Sequence, residues 1–275
     1  MNDLTPHLEI LVRRNLIFRD KNFVFGHSYR GGSSLITRIL FACYNIDTQG
    51  LHSEKYRDEI YNPMLLKDVT SEEMLSIIKS REFTRIKFVR CPYRRAVSSY
   101  LYCMGKEMEG DTARIRPLRT TDPRLQGREA PIYISFRQFL IYLSKINLEA
   151  YSCDNHFAKQ FLYFENKLMH YDYICKIENL STELPLINTH FSLGVEANLD
   201  DEMNKLSAHH LQFRNDINEY VDEWVYPKLI HLPETGQMQF PHYKYFYSPK
   251  TKAMVDKLYS DDLANYKYSF RPNKW

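Results

Sequence analysis

Two segments of the chain share one plan, in which a short apolar run ends in a turn and a helical pattern begins. Tyr29-Arg30-Gly31-Gly32-Ser33-Ser34-Leu35 follows the apolar run 22–26, and Phe88-Val89-Arg90-Cys91-Pro92-Tyr93 closes the second such run. A strand that turns into a helix N-terminus presents backbone N–H groups and the positive end of the helix dipole. The sequence therefore predicts two anion sites, each with an arginine. Such a pair suits a nucleotide that is phosphorylated at two separate positions.

The first segment is close to the P-loop of nucleoside triphosphatases but departs from it at one position. Gly26 and Gly31 have the spacing of that motif, whereas Gly32 takes the place of its lysine. The positive charge lies inside the loop instead, as Arg30, and two hydroxyl residues follow. Glycines let the backbone approach a ligand closely because they have no Cβ. We expect this loop to hold a phosphate without the magnesium that such enzymes use.

The motifs along the chain resemble those of sulfotransferases that use 3′-phosphoadenosine 5′-phosphosulfate (PAPS). The segment from Tyr29 resembles their 5′-phosphosulfate loop, and Arg90 with Ser98, eight residues later, resembles their 3′-phosphate site. The other matches are Asp154-Asn155-His156 to Gln160, Tyr171 to Leu180, Tyr247-Ser248-Pro249 and Leu258 to Leu263. The resemblance is to the carbohydrate sulfotransferases of the family 2 group, and it spans about residues 22–268.

This resemblance implies an activity and a set of binding residues. The chain would move a sulfuryl group from PAPS to a hydroxyl or amine, with a carbohydrate favoured as acceptor. Arg30 would lie beside the bridging oxygen and the 5′-phosphate, while Arg90 is suited to bidentate contact with the 3′-phosphate. Arg94 and Arg95 are expected to be surface charges. The residues assigned to PAPS are Arg30, Gly31, Gly32, Ser33, Ser34, Leu35, Arg90 and Ser98.

A general base must take the proton of the acceptor, and three candidates stay open. Related enzymes place a histidine or glutamate either shortly after the first helix or at the end of the strand before the Arg90 strand. The first location offers His52, besides acidic residues at 54, 58 and 59, and the second offers Asp68. His156 lies in the motif before Gln160 and is the third candidate.

Strand and helix patterns alternate along the chain, which predicts an α/β fold with a parallel sheet. With the motifs, this indicates a P-loop-NTPase-like three-layer fold whose central sheet is flanked by helices, in one domain over residues 1–275. The predicted strands are 22–26, 64–66, 86–89 and 173–177. One predicted helix begins at residues 33–34 and includes 35, and another has residue 92 in its first turn. Further predicted helices cover 71–80, 136–146, about 200–212 and about 215–230, and one begins at 249.

Residues 105–131 interrupt the periodicity with five arginines, three prolines and three glycines. Such a composition is typical of a solvated, flexible loop. A cationic flap over an anionic acceptor is the alternative interpretation.

Composition excludes several classes of partner. A net charge of +3 is too small to indicate a nucleic-acid-binding surface, and the five cysteines have no zinc or disulfide spacing. No apolar stretch has the length of a membrane span, and the N-terminal residues have no signal-peptide core. We therefore expect a cytoplasmic enzyme without metal, whose partners are PAPS and a glycan or small-molecule acceptor.

Two other functions stay open. A nucleotide-dependent phosphotransferase could use the same fold, although Gly32 in the lysine position disfavours it. A catalytically silent module that binds a nucleotide or an anionic glycan would also keep Arg30, Arg90 and Ser98. Dependence on magnesium would identify the first, and absence of PAPS turnover would identify the second.

Overall fold

The computed structural model describes residues 5–28, 36–37, 69–110, 132–150, 153–192, 212–214, 216–232 and 238–271. The chain divides into two compact units. We call Met1–Arg90 with Gln160–His209 the sheet unit, and Cys91–Lys159 with His210–Trp275 the helical unit.

The helices and strands follow one another in this order. The first part of the chain contains α1 (Thr5–Arg14), β1 (Asn15–Phe18), β2 (Phe23–Gly26), α2 (Ser71–Lys79), β3 (Thr84–Val89), α3 (Pro92–Met108) and α4 (Phe136–Leu143). The second part contains α5 (Tyr163–Leu168), β4 (Tyr173–Lys176), α6 (Leu180–Phe191), β5 (Gln212–Arg214), α7 (Tyr226–Leu229), β6 (Gln239–Pro241), α8 (Pro249–Leu258) and α9 (Ser260–Asn265). None of the helices in the described part of the chain combines the length and apolarity that a membrane span needs.

The sheet unit is built on four strands in the order β1-β2-β3-β4. Strands β2, β3 and β4 are parallel, and β1 is antiparallel to β2. All four residues of β2 are buried, as expected for a strand covered on both faces. The predicted α/β fold with a central, mostly parallel sheet flanked by helices is confirmed. Because Gly26 pairs with Lys87, the carboxyl ends of β2 and β3 lie side by side, and both predicted anion-binding segments start at this edge.

The helical unit has an aromatic core between α3, α4 and the C-terminal helices. Tyr100 contacts the rings of Phe136, Phe139 and Phe246, with ring centroids 5.5 to 6.2 Å apart. A capping box of Ser135 and Gln138 begins α4, where a helix was predicted. Most of the aromatic residues in this unit therefore serve packing.

Several predicted elements are confirmed in the sheet unit and at the C-terminus. The strands expected at 22–26, 86–89 and 173–177 correspond to β2, β3 and β4, and the helix expected at 71–80 corresponds to α2. Ile36 and Thr37 are helical, as expected after the loop, and α8 begins at Pro249. The predicted strand 64–66 lies outside the described residues. The helix α3 runs to Met108, and residues 111–131 of the arginine-rich segment lie outside the described residues.

The predicted helix over 215–230 is wrong. Of its described residues, only Tyr226–Leu229 are helical. The backbone of this segment bonds to other elements: Val221 N–H donates to Tyr245, and the Asp222 carbonyl accepts from Arg137. These tertiary hydrogen bonds replace the helical ones that the apolar spacing suggested. The helix predicted at about 200–212 lies outside the described residues except for Gln212, which begins the strand β5, parallel to β6.

Candidate functional site

Most of the predicted site lies outside the described residues. This holds for Arg30, Gly31, Gly32, Ser33, Ser34 and Leu35 in the loop, and for His52 and Asp68 among the base candidates. The structure places Arg90 directly after β3 in the sheet unit, and Ser98 and His156 in the helical unit.

Gly26 ends β2 against the side chain of Tyr171. A Cβ atom on Gly26 would lie 2.8 Å from the Tyr171 hydroxyl oxygen, closer than real Cβ atoms come. That hydroxyl cannot move away easily, because it bonds to Glu165 and lies 3.1 Å from Asn15 Oδ1. Packing against Tyr171 therefore requires a glycine at position 26. This requirement is separate from the resemblance of Gly26 to a P-loop glycine.

His27 leads from β2 toward the loop and is buried. Its backbone N–H donates to the Arg14 carbonyl at 2.9 Å, and its Nδ1 lies 3.1 Å from the same oxygen. Burial lowers the pKa of His27 to about 4, so the ring is neutral at physiological pH. The chain therefore enters the loop without an added positive charge from this residue.

Arg90 is held through its main chain by the side chain of Gln160. The Arg90 N–H donates to Gln160 Oε1 at 2.8 Å, and Gln160 Nε2 donates to the Arg90 carbonyl at 2.7 Å. The same Oε1 accepts a bond from Ser28 Oγ at 3.1 Å. One buried amide thus joins the residue after β3 to the residue that precedes the loop.

A buried ion pair lies beside this amide. Lys87 Nζ donates to Glu165 Oε2 at 2.7 Å and to the Gln160 carbonyl at 2.9 Å. The Lys87 and Glu165 side chains are 3% and 1% exposed. Charges at this depth persist only when they are paired and hydrogen-bonded, and here both conditions are met. The network fixes the main chain of Gln160 in place.

In the helical unit, the beginning of α3 holds the turn that carries His156. Arg95 donates to the Ala158 carbonyl and, at 3.4 Å, to the Asn155 carbonyl, and Ser99 Oγ donates to the carbonyl of His156. The prediction that Arg95 is a surface charge is wrong, since it is 1% exposed. Its guanidinium is needed to satisfy buried carbonyl groups of the turn. Ser98, on the same part of α3, is buried as well.

His156, one of the predicted base candidates, is paired with a carboxylate. Its Nδ1 lies 2.6 Å from Asp154 Oδ1, and its ring stacks on Tyr102 with centroids 4.4 Å apart. The carboxylate favours the tautomer with the proton on Nδ1, in which Nε2 is the basic nitrogen. The same Asp154 oxygen accepts the His156 backbone N–H, so the pair also shapes the turn.

The sequence interpretation gave no role to Gln160, although it named the residue as part of a motif. Its bonds to Arg90 join positions 70 residues apart, and periodicity reports only local spacing. The one available signal was its position at the end of the motif that runs from Asp154 to Gln160.

The chain belongs to the sulfotransferase family. A family model described as "Sulfotransferase family", of the family 2 group, matches residues 13–269. No curated protein and no solved structure matches the chain significantly. Membership supports sulfuryl transfer as the general chemistry. Across the described ranges, no group of three or more His, Cys, Asp or Glu side chains could hold a metal ion.

Proposed function

We propose that this member of the sulfotransferase family moves a sulfuryl group from PAPS to a hydroxyl or amine of an acceptor. A carbohydrate is the favoured acceptor, and 3′-phosphoadenosine 5′-phosphate (PAP) is the second product. The observation that carries the proposal is the adjacency of the carboxyl ends of β2 and β3, where both arginine-bearing segments begin. Ligands of α/β sheets bind outside the carboxyl ends of the strands.

We assign the nucleotide to these two segments. Arg30 and the residues from Gly31 to Leu35 take the 5′-phosphosulfate, and Arg90 with Ser98 takes the 3′-phosphate. The support is the family match over residues 13–269, a range that includes both segments, and, for Arg90, a main chain that is fixed at the edge of the sheet. A fixed main chain lowers the cost of ordering the guanidinium when the phosphate binds.

The reaction asks the protein to remove a proton and to stabilise negative charge. The base takes the acceptor proton while the acceptor oxygen or nitrogen bonds to sulfur, and the bond from sulfur to the bridging oxygen breaks. The electron pair of that bond stays on PAP, where Arg30 offsets the developing charge. His52, His156 and Asp68 are kept as candidates for the base. The Asp154–His156 pair supports His156.

The proposal is tested by following sulfur-labelled PAPS with the full chain and a panel of desulfated glycans, in the presence of EDTA. We expect labelled glycan and unlabelled PAP to form in equal amounts. EDTA should leave the rate unchanged, because no step uses a metal ion. Single variants His52→Ala, His156→Ala and Asp68→Asn then identify the base, as the variant that loses transfer but keeps its affinity for PAP.

A parallel reaction with γ-phosphate-labelled ATP and magnesium tests the phosphotransferase alternative. Label transferred from ATP but not from PAPS would overturn the proposal in favour of that activity. Tight binding of PAP without turnover of PAPS on any acceptor would favour a silent binding module.

A further inference from the structure

The side chain of Gln160 contacts both strand ends from which the proposed nucleotide-binding segments start. It is 1% exposed and lies in the sheet unit with Arg90 and Ser28. Two of its hydrogen bonds go to the main chain of Arg90 and one goes to the hydroxyl of Ser28. The NH₂ group and the oxygen of this amide therefore bond to Arg90, in one of the two segments that the proposed function assigns to the nucleotide, and to Ser28, just before the other.

The two bonds to Arg90 imitate a strand partner. In an antiparallel pair of strands, two opposite residues can exchange N–H and carbonyl bonds through their backbones. Here the planar amide of Gln160 gives the same exchange to the residue that follows β3, with distances of 2.8 and 2.7 Å. Because both main-chain groups of Arg90 are fixed, the direction in which its side chain leaves the backbone is fixed too.

The main chain of Gln160 is itself held in place by a buried ion pair. Lys87, on β3, donates to its carbonyl, and the same ammonium group is paired with Glu165. Lys87 and Arg90 lie three residues apart in the chain. The ion pair therefore holds the end of β3, and the amide of Gln160 holds the residue that follows it. The amide has little freedom to adapt if one of its partners moves.

We propose that Gln160 is a positioning residue that sets Arg90 for the 3′-phosphate and links it to Ser28 at the start of the 5′-phosphate loop. The inference rests on the proposed function, because PAPS and its phosphates belong to that proposal. Gln160 acts through Arg90 and has no need to touch the nucleotide. Its effect should appear in the selectivity for a 3′-phosphate, which a residue of merely structural importance would not change.

The test compares the affinities of PAP and adenosine 5′-phosphate, which lacks the 3′-phosphate, by calorimetry on the full chain. Gln160→Met keeps the volume of the side chain and removes its hydrogen bonds to Arg90 and Ser28. We expect the ratio of the two affinities to fall about tenfold, the effect of about one lost hydrogen bond to a charged group. Gln160→Glu provides a second variant if Gln160→Met does not fold, since it keeps the acceptor oxygens but cannot donate to the Arg90 carbonyl.

Two variants serve as matched controls. Ser28→Ala removes the bond of the same amide on the side of the 5′-phosphate loop, which both nucleotides use, and leaves Arg90 held. Both affinities are therefore expected to change together, so their ratio should stay within about twofold. Leu162→Ala creates a cavity at a buried residue near Gln160 in the sequence, so it should lower the melting temperature without changing the ratio.

The outcomes separate this inference from the proposed function. A wild-type chain that prefers PAP, together with Gln160 variants that lose the preference, supports the inference. A wild-type preference that both Gln160 variants retain overturns the inference and leaves the proposed function standing. A wild-type chain that binds the two nucleotides equally overturns the proposed function and this inference with it.

Discussion

Arg30 carries the proposed chemistry at the scale of single residues. Its charge should stabilise the transition state more than the bound PAPS, because negative charge on the bridging oxygen develops only as the bond to sulfur breaks. We expect Arg30→Ala to lower kcat by ~10²–10³, the usual effect of losing one preorganised donor. The affinity for PAP should fall less, since the backbone N–H groups of the loop remain. Steady-state kinetics and calorimetry on one preparation check this, and a near-normal kcat would remove Arg30 from the chemistry.

His27 makes the stability of the fold depend on pH. Because burial lowers its pKa to about 4 in the folded chain, from its ordinary value of 6.5, the unfolded chain binds an extra proton between these pH values. The free energy of unfolding therefore does not depend on the protonation of His27 above pH ~6.5. As the pH falls toward 4, protonation of His27 in the unfolded chain lowers that free energy by about 3 kcal/mol in total.

Urea unfolding at several pH values measures this effect. The wild-type chain should lose more stability than His27→Gln between pH 7 and pH 4, since the variant has no imidazole to protonate. Parallel pH profiles for the two proteins would show that His27 is not the responsible group.

At the scale of elements, the central strands were predictable because each depends on local pattern. An apolar run that ends in a turn and leads into a helical pattern predicts a strand and a helix start, and β2 and β3 appear where this pattern lies. Thr70 begins α2 by accepting the N–H of Glu73, an ordinary N-cap one residue before the predicted start.

The rest could not be predicted because it depends on partners distant in sequence. The segment around Asp222 has helical apolar spacing, yet its backbone and carboxylate bond to residues of α4 and to Ser248, the N-cap of α8. Arg95 was predicted to be exposed because arginine usually is, and the carbonyls that bury it come from residues 155 and 158. The contacts of Gln160 could not be predicted for the same reason, because Arg90 and Ser28 follow two strands that are distant from it in sequence.

The end of β2 gives a prediction at this scale. Gly26→Ala should destabilise the fold by ~1–3 kcal/mol, because its Cβ would overlap the Tyr171 ring while that ring is held by Glu165. Urea unfolding of the variant measures the loss. Gly105→Ala is a suitable control, as its Cβ would lie 3.2 Å from the Tyr226 hydroxyl oxygen, a tight contact rather than an overlap. Equal stability of wild type and Gly26→Ala would contradict this account of the glycine.

At the scale of the whole molecule, the family match extends over residues of both compact units, from 13 to 269. The described residues supply the frame of the proposed site: two parallel strand ends side by side, and an arginine fixed by a buried amide.

The central claim is that the chain binds a nucleotide with phosphates at both the 3′ and the 5′ position. Calorimetric titration of the full chain with PAP, adenosine 5′-phosphate and ATP tests it without knowledge of the acceptor. We predict that PAP binds about 10- to 150-fold more tightly than the other two, equivalent to ~1.5–3 kcal/mol for charged hydrogen bonds to the 3′-phosphate, and that Arg90→Ala abolishes this preference. Equal affinity of the wild-type chain for PAP and adenosine 5′-phosphate would contradict the claim.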